Sequence, residues 1–362
     1  MSRLAIATLS TENLLHNLEV IRKQADDRKI IAMIKANGYG HGLRSVAHRL
    51  EGKVYSLGVA SVDEALALRK ANVKMPITLM SGAFEADDLF IASCQNFHLI
   101  FHEETQINWL NNIKLPNPIT IWLKINTGMG RLGFDLDSAK KAYEVLSSHP
   151  QIVQPIGIIS HIACADDYSN ELNQKQINNF RTFVQDLPGP KSLANSASIF
   201  NFKDSLYDVV RPGLALYGIS PLKDVTASEL GLKPVMTLQA RLVSVSNAKK
   251  GSHIGYGGRF ICPEDMKIGV IAMGYGDGYP RTARDGTPIL VNNKRCQLVG
   301  CVSMDMAIID LRNCSDANVG DPVILWGDGL PLEEIAQHTD NIPYDIVCGV
   351  QQRVKFYWTM NG

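Results

Sequence analysis

The stretch that decides the fold runs from residue 30 to residue 42 and reads IIAMIKANGYGHG. An apolar run, Ile30–Ile34, ends abruptly at Lys35, and a glycine-rich turn that carries Tyr39 follows at once. A short apolar run bounded by glycine is typical of a strand buried on both faces in a parallel sheet. Lys35 is therefore predicted at the C-terminal end of a strand, where barrel enzymes have their active sites. The alternative is a strand-end lysine that extends into water.

Outward from this strand, the first two-thirds of the chain alternates short apolar runs with stretches of helical periodicity. Ser10 is the predicted N-cap of a first helix that contains Leu14, Leu18 and Ile21. The alternation predicts parallel strands with crossover helices, and a strand count that approaches eight favours a closed barrel. The apolar runs after Lys35 are Val54–Val59, Pro76–Met80, His98–Phe101, Ile119–Ile125, Pro155–Ser160 and Asp208–Arg211.

The pattern changes near residue 230, after which most elements are predicted strands separated by turn residues. One predicted helix, Leu332–His338, interrupts them. We therefore expect an α/β fold with an N-terminal (β/α)8 TIM-like barrel over residues 11–230 and a mostly β domain over residues 231–362. The predicted strands of this domain are Met236–Val245, Ile268–Met273, Pro288–Val291, Gln297–Val302, Ala307–Leu311 and Pro322–Trp326.

The amino-acid composition argues against some classes of function. The chain has 362 residues, 45% of them hydrophobic, which is enough for a large barrel core and a second domain. Basic and acidic residues balance at 36 each, which argues against nucleic acid or an anionic membrane as a partner. We find no apolar run long enough to span a bilayer and no signal-peptide core, so we expect a cytoplasmic protein. The seven cysteines show no metal-site spacing, and we interpret them as reduced core thiols.

Side chains that carry chemistry cluster at strand ends and in glycine-rich turns. Desolvation at a barrel mouth would lower the pKa of Lys35 and free its amine to form a Schiff base, most obviously with pyridoxal phosphate (PLP). Thr127–Gly133 holds three glycines beside two cations, Lys124 and Arg131, and would allow close backbone approach to a ligand. The alternative for this segment is an ordinary loop with solvated charges.

Other clusters are weaker signals when each is taken alone. His161 directly follows a strand and could act as an acid or base, although a structural histidine is favoured. Ala194–Ser198 could bind a phosphate, but a plain helix N-cap is favoured. Arg211, with Gly213 after it, could serve a cofactor and its phosphate. The tyrosines among glycines in the β-rich part, and the segment Val302–Met306, can also be simple turns.

The order and spacing of these clusters resemble the alanine racemase family, PLP enzymes that interconvert L- and D-alanine. The motifs Lys35–Gly42, Thr127–Gly133 and Ser303–Asp305 carry a resemblance that runs nearly end to end. It implies a barrel that binds PLP, a β domain that residues 1–10 join, and a homodimer in which the partner's β domain completes each site. It also implies a role in supplying D-alanine for peptidoglycan.

The resemblance assigns two proton-transfer groups. Lys35 would hold PLP and act on the D-alanine side, and Tyr256, contributed by the partner, would act on the L-alanine side. Racemisation needs one acid or base on each face of the α-carbon. The implied cofactor-binding residues are Lys35, Tyr39, Arg131, His161, Asn195, Ser196, Arg211, Gly213, Leu214 and Tyr344, and the implied substrate-binding residues are Arg131, Tyr275 and Met304.

Individual roles also follow from the resemblance. Arg211 matches the residue at the pyridine nitrogen, His161 the residue that supports Arg211 and Tyr256, and Arg131 the ligand of the cofactor's phenolic oxygen. Lys124 matches a lysine that the family carries as a carbamate, which would orient Arg131. The phosphate positions are Tyr39, Ser196, Gly213, Leu214 and Tyr344, and Tyr275, Arg281 and Asp166 match positions in the access corridor.

One residue departs from the family pattern. Where the family usually has arginine before the Val-Ser-Met-Asp segment, this chain has Cys301, which removes a corridor cation.

Because pocket size cannot be read from a sequence, a racemase of broader or different specificity is the alternative. An amino-acid decarboxylase is disfavoured by Arg211, since a decarboxylase pairs the pyridine nitrogen with a carboxylate. The β domain and Tyr256 argue against a non-catalytic PLP-binding module.

Overall fold

The computed structural model describes residues 4–360, which form two compact units. One unit comprises residues 18–216 and Pro221–Val225, and the other comprises residues 4–17, Tyr217–Ser220 and residues 226–360. The functional boundaries, residues 11–230 for the barrel and residues 1–10 plus 231–362 for the β-rich domain, stay a prediction.

The chain opens with β1 (Ile6–Ser10), which leads directly into α1 (Thr11–Gln24). The Ser10 hydroxyl accepts a hydrogen bond from the Asn13 amide at 3.1 Å, which satisfies one of the free N–H groups of the first helical turn. The predicted N-cap is therefore confirmed.

The larger unit is a barrel-like parallel sheet whose short strands are almost fully buried, as expected for a sheet covered on both faces. The two strands at the ends of the hydrogen-bonded order approach each other. The Ser192 hydroxyl donates to Val209 O at 2.7 Å, and the Arg211 amide donates to Ala194 O at 2.9 Å. The sheet is thus nearly closed, and the predicted TIM-like barrel is confirmed. The strands are β2 (Lys29–Met33), β3 (Ser56–Val59), β4 (Ile77–Leu79), β5 (Phe97–Phe101), β6 (Ile121–Lys124), β7 (Gly157–Ile159), β8 (Lys191–Ser192) and β9 (Val209–Val210).

Helices alternate with these strands and bury one apolar face each. Several helices begin at an N-cap residue whose side-chain oxygen accepts a hydrogen bond from a backbone N–H of the first turn, such as Ser61, Asp135 and Asn170. The helices are α2 (Leu43–Leu50), α3 (Val62–Lys70), α4 (Ala86–Gln95), α5 (Glu104–Asn112), α6 (Leu136–Ser147), α7 (Glu171–Val184) and α8 (Ser196–Asn201).

The second unit is mostly β, as predicted. Its elements are β10 (Met236–Ala248), β11 (His253–Ile254), β12 (Phe260–Ile261), β13 (Met266–Ile271), β14 (Pro288–Val291), β15 (Lys294–Val299), β16 (Ala307–Asp310), β17 (Pro322–Trp326), α9 (Leu332–Gln337), α10 (Pro343–Cys348) and β18 (Lys355–Thr359). The main sheet has eight strands in the order β13-β16-β15-β14-β17-β10-β1-β18, in which β1 lies antiparallel to β10 and parallel to β18. The helix α10 and the strands β11, β12 and β18 were not predicted from the sequence.

All seven cysteines are free thiols. Cys262, Cys296 and Cys314 are buried, but Cys94 and Cys348 are exposed, so the prediction of core thiols is wrong for those two. Both lie near the ends of amphipathic helices, where a single small apolar residue often faces water.

Among residues 4–360, no helix has the length and apolar character needed to cross a membrane.

Candidate active site

Lys35 opens a tight turn at the barrel mouth. Strand β2 ends at Met33, two residues before Lys35, rather than at Lys35 as predicted. The next five residues, 36–40, all have left-handed backbone, with φ between 51° and 77°. This conformation costs about 1–2 kcal/mol for each residue with a side chain. The strain is concentrated directly beside the lysine, as is common at functional sites.

Hydrogen bonds hold this turn in one conformation. The Gly38 amide donates to Ile34 O at 2.8 Å, and the Gly42 amide donates to Asn37 O at 2.8 Å. The Asn37 side-chain oxygen accepts from the amide of the first residue of α2 at 2.9 Å. Glu64 accepts from the Ala36 amide at 2.7 Å. The backbone that carries Lys35 is therefore fixed on several sides.

Tyr39, Ser196 and Gly213 come together within the barrel unit. A Cβ at position 213 would lie 2.5 Å from the Tyr39 hydroxyl oxygen, so any larger residue there would force the tyrosine ring to shift. The Gly213 amide donates to the Ser196 hydroxyl at 2.7 Å. The neighbouring Leu214 is buried. Asn195 accepts from the first turn of α8 through its side-chain oxygen, so the predicted alternative of a helix cap holds for this residue.

Arg211 is a buried cation, only 4% exposed, at the end of β9. Its guanidinium donates to the Ser192 hydroxyl at 2.5 Å, to Ser160 O and to Leu193 O at 3.2 Å. Burial lowers the pKa of Arg211 to about 9. The side chain is thus positioned by neutral oxygens rather than by a carboxylate.

His161 lies beside Arg211, with its Nδ1 atom 3.3 Å from Nη2 of that arginine. Desolvation, followed by the charges of Arg211, Lys124, Arg131 and Lys35, holds the pKa of His161 well below 6.5. A neutral imidazole can accept the guanidinium N–H at Nδ1. The structure therefore brings His161 to Arg211, as the resemblance implies.

Lys124 is the last residue of β6 and is 9% exposed. Burial, together with the charges of Arg211, Arg131 and Lys35, lowers its pKa to about 8. No carboxylate within the described residues forms an ion pair with it. It lines one small cavity with Arg131 and His161. Its amine is therefore unusually easy to deprotonate.

Sequence reasoning missed several polar residues that support this site. The Ser160 hydroxyl donates to Ile125 O at 2.7 Å and lies 3.0 Å from the Thr127 hydroxyl. Gln176 is fully buried on α7 and donates to His161 O at 2.9 Å. Ser160 and Thr127 were detectable as polar residues at strand ends. Gln176 gave no signal, because its helical position alone does not show that its amide turns inward.

The remaining predicted site residues lie in the β-rich unit. Tyr256 is 74% exposed in a glycine-rich turn. Tyr275 and Met304 lie on two adjacent loops, where the Tyr275 amide donates to Ser303 O at 3.0 Å and the Gly276 amide donates to Met304 O at 2.8 Å. Met304 is 53% exposed at the tip of its loop. The structure therefore leaves all three side chains exposed, and two of them, Tyr275 and Met304, lie on loops that are hydrogen-bonded to each other.

An ion pair between a buried aspartate and an exposed arginine links these two loops. Asp277 is fully buried, accepts from the Gly274 amide at 2.9 Å and pairs with Nε of Arg353 at 2.8 Å. Arg353 also donates to Asp305 at 2.6 Å and to Met304 O at 3.4 Å. The sequence gave no reason to select Arg353, since it lies far along the chain from both loops.

The other predicted positions of the access corridor, and Tyr344 of the predicted phosphate site, are exposed or half-buried. Arg281 and Asp166 are exposed, Asp166 in the barrel unit, and Tyr344 is 38% exposed on α10. Cys301 is half-buried. Arg259 donates to the carbonyl of Gly300, the residue before Cys301, at 2.9 Å. A cation therefore does stand beside Cys301, although it comes from another loop.

Within the barrel unit, four basic side chains lie near the neutral imidazole of His161: those of Lys35, Lys124, Arg131 and Arg211. Such a mouth suits an anionic, flat ligand with a phosphate arm, because cations and hydroxyls are the groups that bind phosphate. Two family models match the chain. The model of the alanine racemase N-terminal domain matches residues 9–221, and that of the alanine racemase C-terminal domain matches residues 235–358.

This chain belongs to the alanine racemase family. The alanine racemase of Vibrio vulnificus strain CMCP6 is 44% identical over 355 residues, which cover 98% of this chain and 99% of that protein. The biosynthetic alanine racemase of Escherichia coli O6:H1 is 43% identical over 351 residues, 97% and 98% of the two chains. The crystal structure of the biosynthetic alanine racemase of Pseudomonas aeruginosa has a TM-score of 0.96 at 38% identity and covers 99% of both chains. The predicted family and the predicted class, an amino-acid racemase, are confirmed.

Proposed function

We propose that this racemase interconverts L- and D-alanine with PLP as cofactor. It would work as a cytoplasmic homodimer and supply D-alanine for peptidoglycan. The observation that carries the proposal is the hydrogen-bonded turn after Lys35, whose Tyr39 hydroxyl lies against Gly213, where a Cβ would be only 2.5 Å away. The amine of Lys35 and the hydroxyl of Tyr39 therefore lie on one short, fixed segment of backbone.

The residues of the barrel mouth fit PLP. The Ser196 hydroxyl accepts from the Gly213 amide, which leaves its own proton free for a phosphate oxygen. Arg211 keeps its proton at working pH and can donate to a ring nitrogen without surrendering a proton to it. Lys35 would bind the cofactor through its amine, with Tyr39, Asn195, Ser196, Gly213, Leu214 and Tyr344 around the phosphate. When bound, PLP stabilises the electron pair left at the α-carbon after proton removal.

Two residues of the chain would move the α-proton. Lys35 would act on one face of the α-carbon and Tyr256 of the partner subunit on the other, since inversion requires a group on each side. Tyr256 suits a group supplied to another chain, because it is the most exposed of the predicted site tyrosines at 74%.

Substrate orientation would come from Arg131, Met304 and Tyr275. The Met304 amide makes no hydrogen bond to another described residue and would donate to the substrate carboxylate. Lys124 would carry a carbamate, which replaces a buried positive charge by a negative one beside Arg131. This change would relieve the crowding of cations that lowers the pKa of Lys124.

A racemase of broader specificity remains the second candidate, and Cys301 favours it. Arginine is replaced there by a smaller, uncharged side chain, while Arg259 keeps a cation nearby. A panel of amino acids separates the two candidates, because a broader enzyme would racemise larger side chains at rates comparable with alanine.

The two-base assignment is tested by deuterium exchange at the α-carbon, measured before racemisation is complete. Tyr256→Phe should slow exchange from L-alanine far more than exchange from D-alanine, because the two groups act on opposite faces. Overall turnover must fall equally in both directions, since the equilibrium between enantiomers is fixed. Lys35→Ala should lose roughly 10²-fold or more in turnover.

The matched control is Tyr357→Phe, another exposed tyrosine of the β-rich unit, which should leave both exchange rates unchanged. Equal slowing of exchange from both enantiomers by Tyr256→Phe would count against the assignment.

A further inference from the structure

Glu64 lies in the first turn of α3, and its carboxylate also accepts a hydrogen bond from a residue outside that helix. Ser61 is the N-cap of α3 and Glu64 follows three residues later, the spacing of a capping box. In that motif the glutamate accepts from the amide of the cap residue. Here Oε2 accepts from the Ala60 amide at 2.8 Å, and Oε1 accepts from the Ala36 amide at 2.7 Å. One carboxylate oxygen thus leaves its own helix and binds the residue after Lys35.

The Ala36 amide is exposed and takes Glu64 as its acceptor. The turn is left-handed from residue 36 onward, and the carbonyl of Ile34 accepts from Gly38. The Ala36 N–H belongs to the peptide plane that joins Lys35 to Ala36, so holding that N–H restrains the plane and, with it, the φ and ψ angles of Lys35. Because the φ angle sets the direction of the Cα–Cβ bond, the position of the lysine side chain depends on Glu64.

We propose that Glu64 is a positioning residue for Lys35, which holds the strained turn so that the lysine amine points at its carbonyl partner. The inference rests on the proposed role of Lys35 as the anchor of PLP. Both carboxylate oxygens are used, one for each amide. A glutamine at this position has one accepting oxygen and would direct its NH2 group at a second N–H donor.

In the test, PLP is added to the cofactor-free, full-length protein. The rate at which PLP becomes covalently attached, here called capture, is monitored by absorbance. Glu64→Gln should slow capture about tenfold and lower kcat by a similar factor, because small displacements of a reacting group are costly. The KM for alanine should change less than twofold. Hydrogen exchange of the Ala36 amide should become faster in the same variant.

Two controls separate positioning from general stability. Glu51→Gln removes another carboxylate that accepts from a loop amide of the same barrel unit, that of Lys74 at 3.2 Å, and should leave capture unchanged. Ser61→Ala removes the N-cap of α3 but keeps Glu64, and should also leave capture unchanged. If Glu64→Gln does not fold, Glu64→Asp, which keeps the charge but shortens the reach, should show the same slowing.

The proposal is overturned if the folded Glu64 variants capture PLP at the wild-type rate, or if Ser61→Ala slows capture as much as they do. A failure of the proposed function looks different. In that case the wild-type protein itself forms no covalent bond with PLP, or Lys35→Ala captures PLP as the wild type does.

Discussion

At the scale of single residues, the barrel unit is governed by a surplus of positive charge in a poorly solvated place. Arg211 and Lys124 are both more than nine-tenths buried, and each has a lowered pKa because burial disfavours the charged form. Arg211 stays protonated with a pKa of about 9, whereas Lys124, with a pKa of about 8, is partly neutral near physiological pH. At neutral pH the same environment therefore leaves Arg211 protonated, as a hydrogen-bond donor, and makes part of Lys124 a neutral, nucleophilic amine.

The first prediction is that Lys124 reacts with carbon dioxide. The neutral amine forms an N–C bond to CO2 and releases one proton, so the product is a carbamate. Incubation with ¹³C-bicarbonate should give a carbamate carbon signal that grows from pH 7 to pH 9, because a pKa of about 8 sets the fraction of free amine. Lys124→Met should abolish the signal. A signal that persists in that variant, or none in the wild type, would contradict the assignment.

At the scale of elements, the sequence predicted those parts of the fold that depend on local pattern. Runs such as Ile119–Ile125 and Pro322–Trp326 were recognisable because buried strands are continuously apolar. Strand β8 was missed because it has only two residues, Lys191 and Ser192, and its pairing depends on β7 rather than on its own composition.

The candidate site was predictable to a similar degree. Glycine-rich motifs located Lys35, Arg131 and Arg211, since backbone at a ligand site restricts side-chain size. The left-handed turn after Lys35 could not be predicted, because Ala36 has no intrinsic preference for it. Gln176 was missed for a different reason, since the role of a buried amide depends on neighbours distant in sequence.

Arg353 allows a second prediction about how the elements cooperate. Arg353→Lys keeps the charge but loses the planar fork that joins Asp277 and Asp305. The loop that presents the Met304 amide should loosen, so the KM for alanine should rise about three- to tenfold, within the range that loss of a charge-assisted hydrogen bond produces. The absorbance of bound PLP should stay unchanged.

The matched control for that experiment is Arg295→Lys, which disturbs a two-contact pair with Glu334 in the same unit. The control should leave KM within twofold of the wild type. An unchanged KM in Arg353→Lys, or an equal rise in both variants, would show that the pair does not position the substrate loop.

At the scale of the whole molecule, buried histidines make stability depend on pH. Burial lowers the pKa of His41 to about 4 and, with the charge of Arg69, lowers that of His98 to about 4. In the unfolded chain these groups take up protons near pH 6.5. The unfolded state therefore binds more protons between pH 6.5 and 4, and stability falls as the pH falls through that range.

The urea midpoint of the cofactor-free protein should accordingly decrease steadily from pH 6.5 towards pH 4. A single histidine with this shift contributes up to about 3 kcal/mol at neutral pH. His98→Phe keeps the ring but cannot bind a proton, and should flatten the decrease. A midpoint that is independent of pH down to 4.5, or a variant with the wild-type slope, would refute this explanation.

The function of the whole molecule is tested most directly by a chiral assay of alanine. Purified protein loaded with PLP should convert L-alanine into D-alanine until the two are present in equal amounts, and should reach the same mixture from D-alanine. Lys35→Ala, run beside it, should produce neither change. If the wild-type protein binds PLP covalently yet leaves both enantiomers of alanine unchanged, the proposed function is wrong.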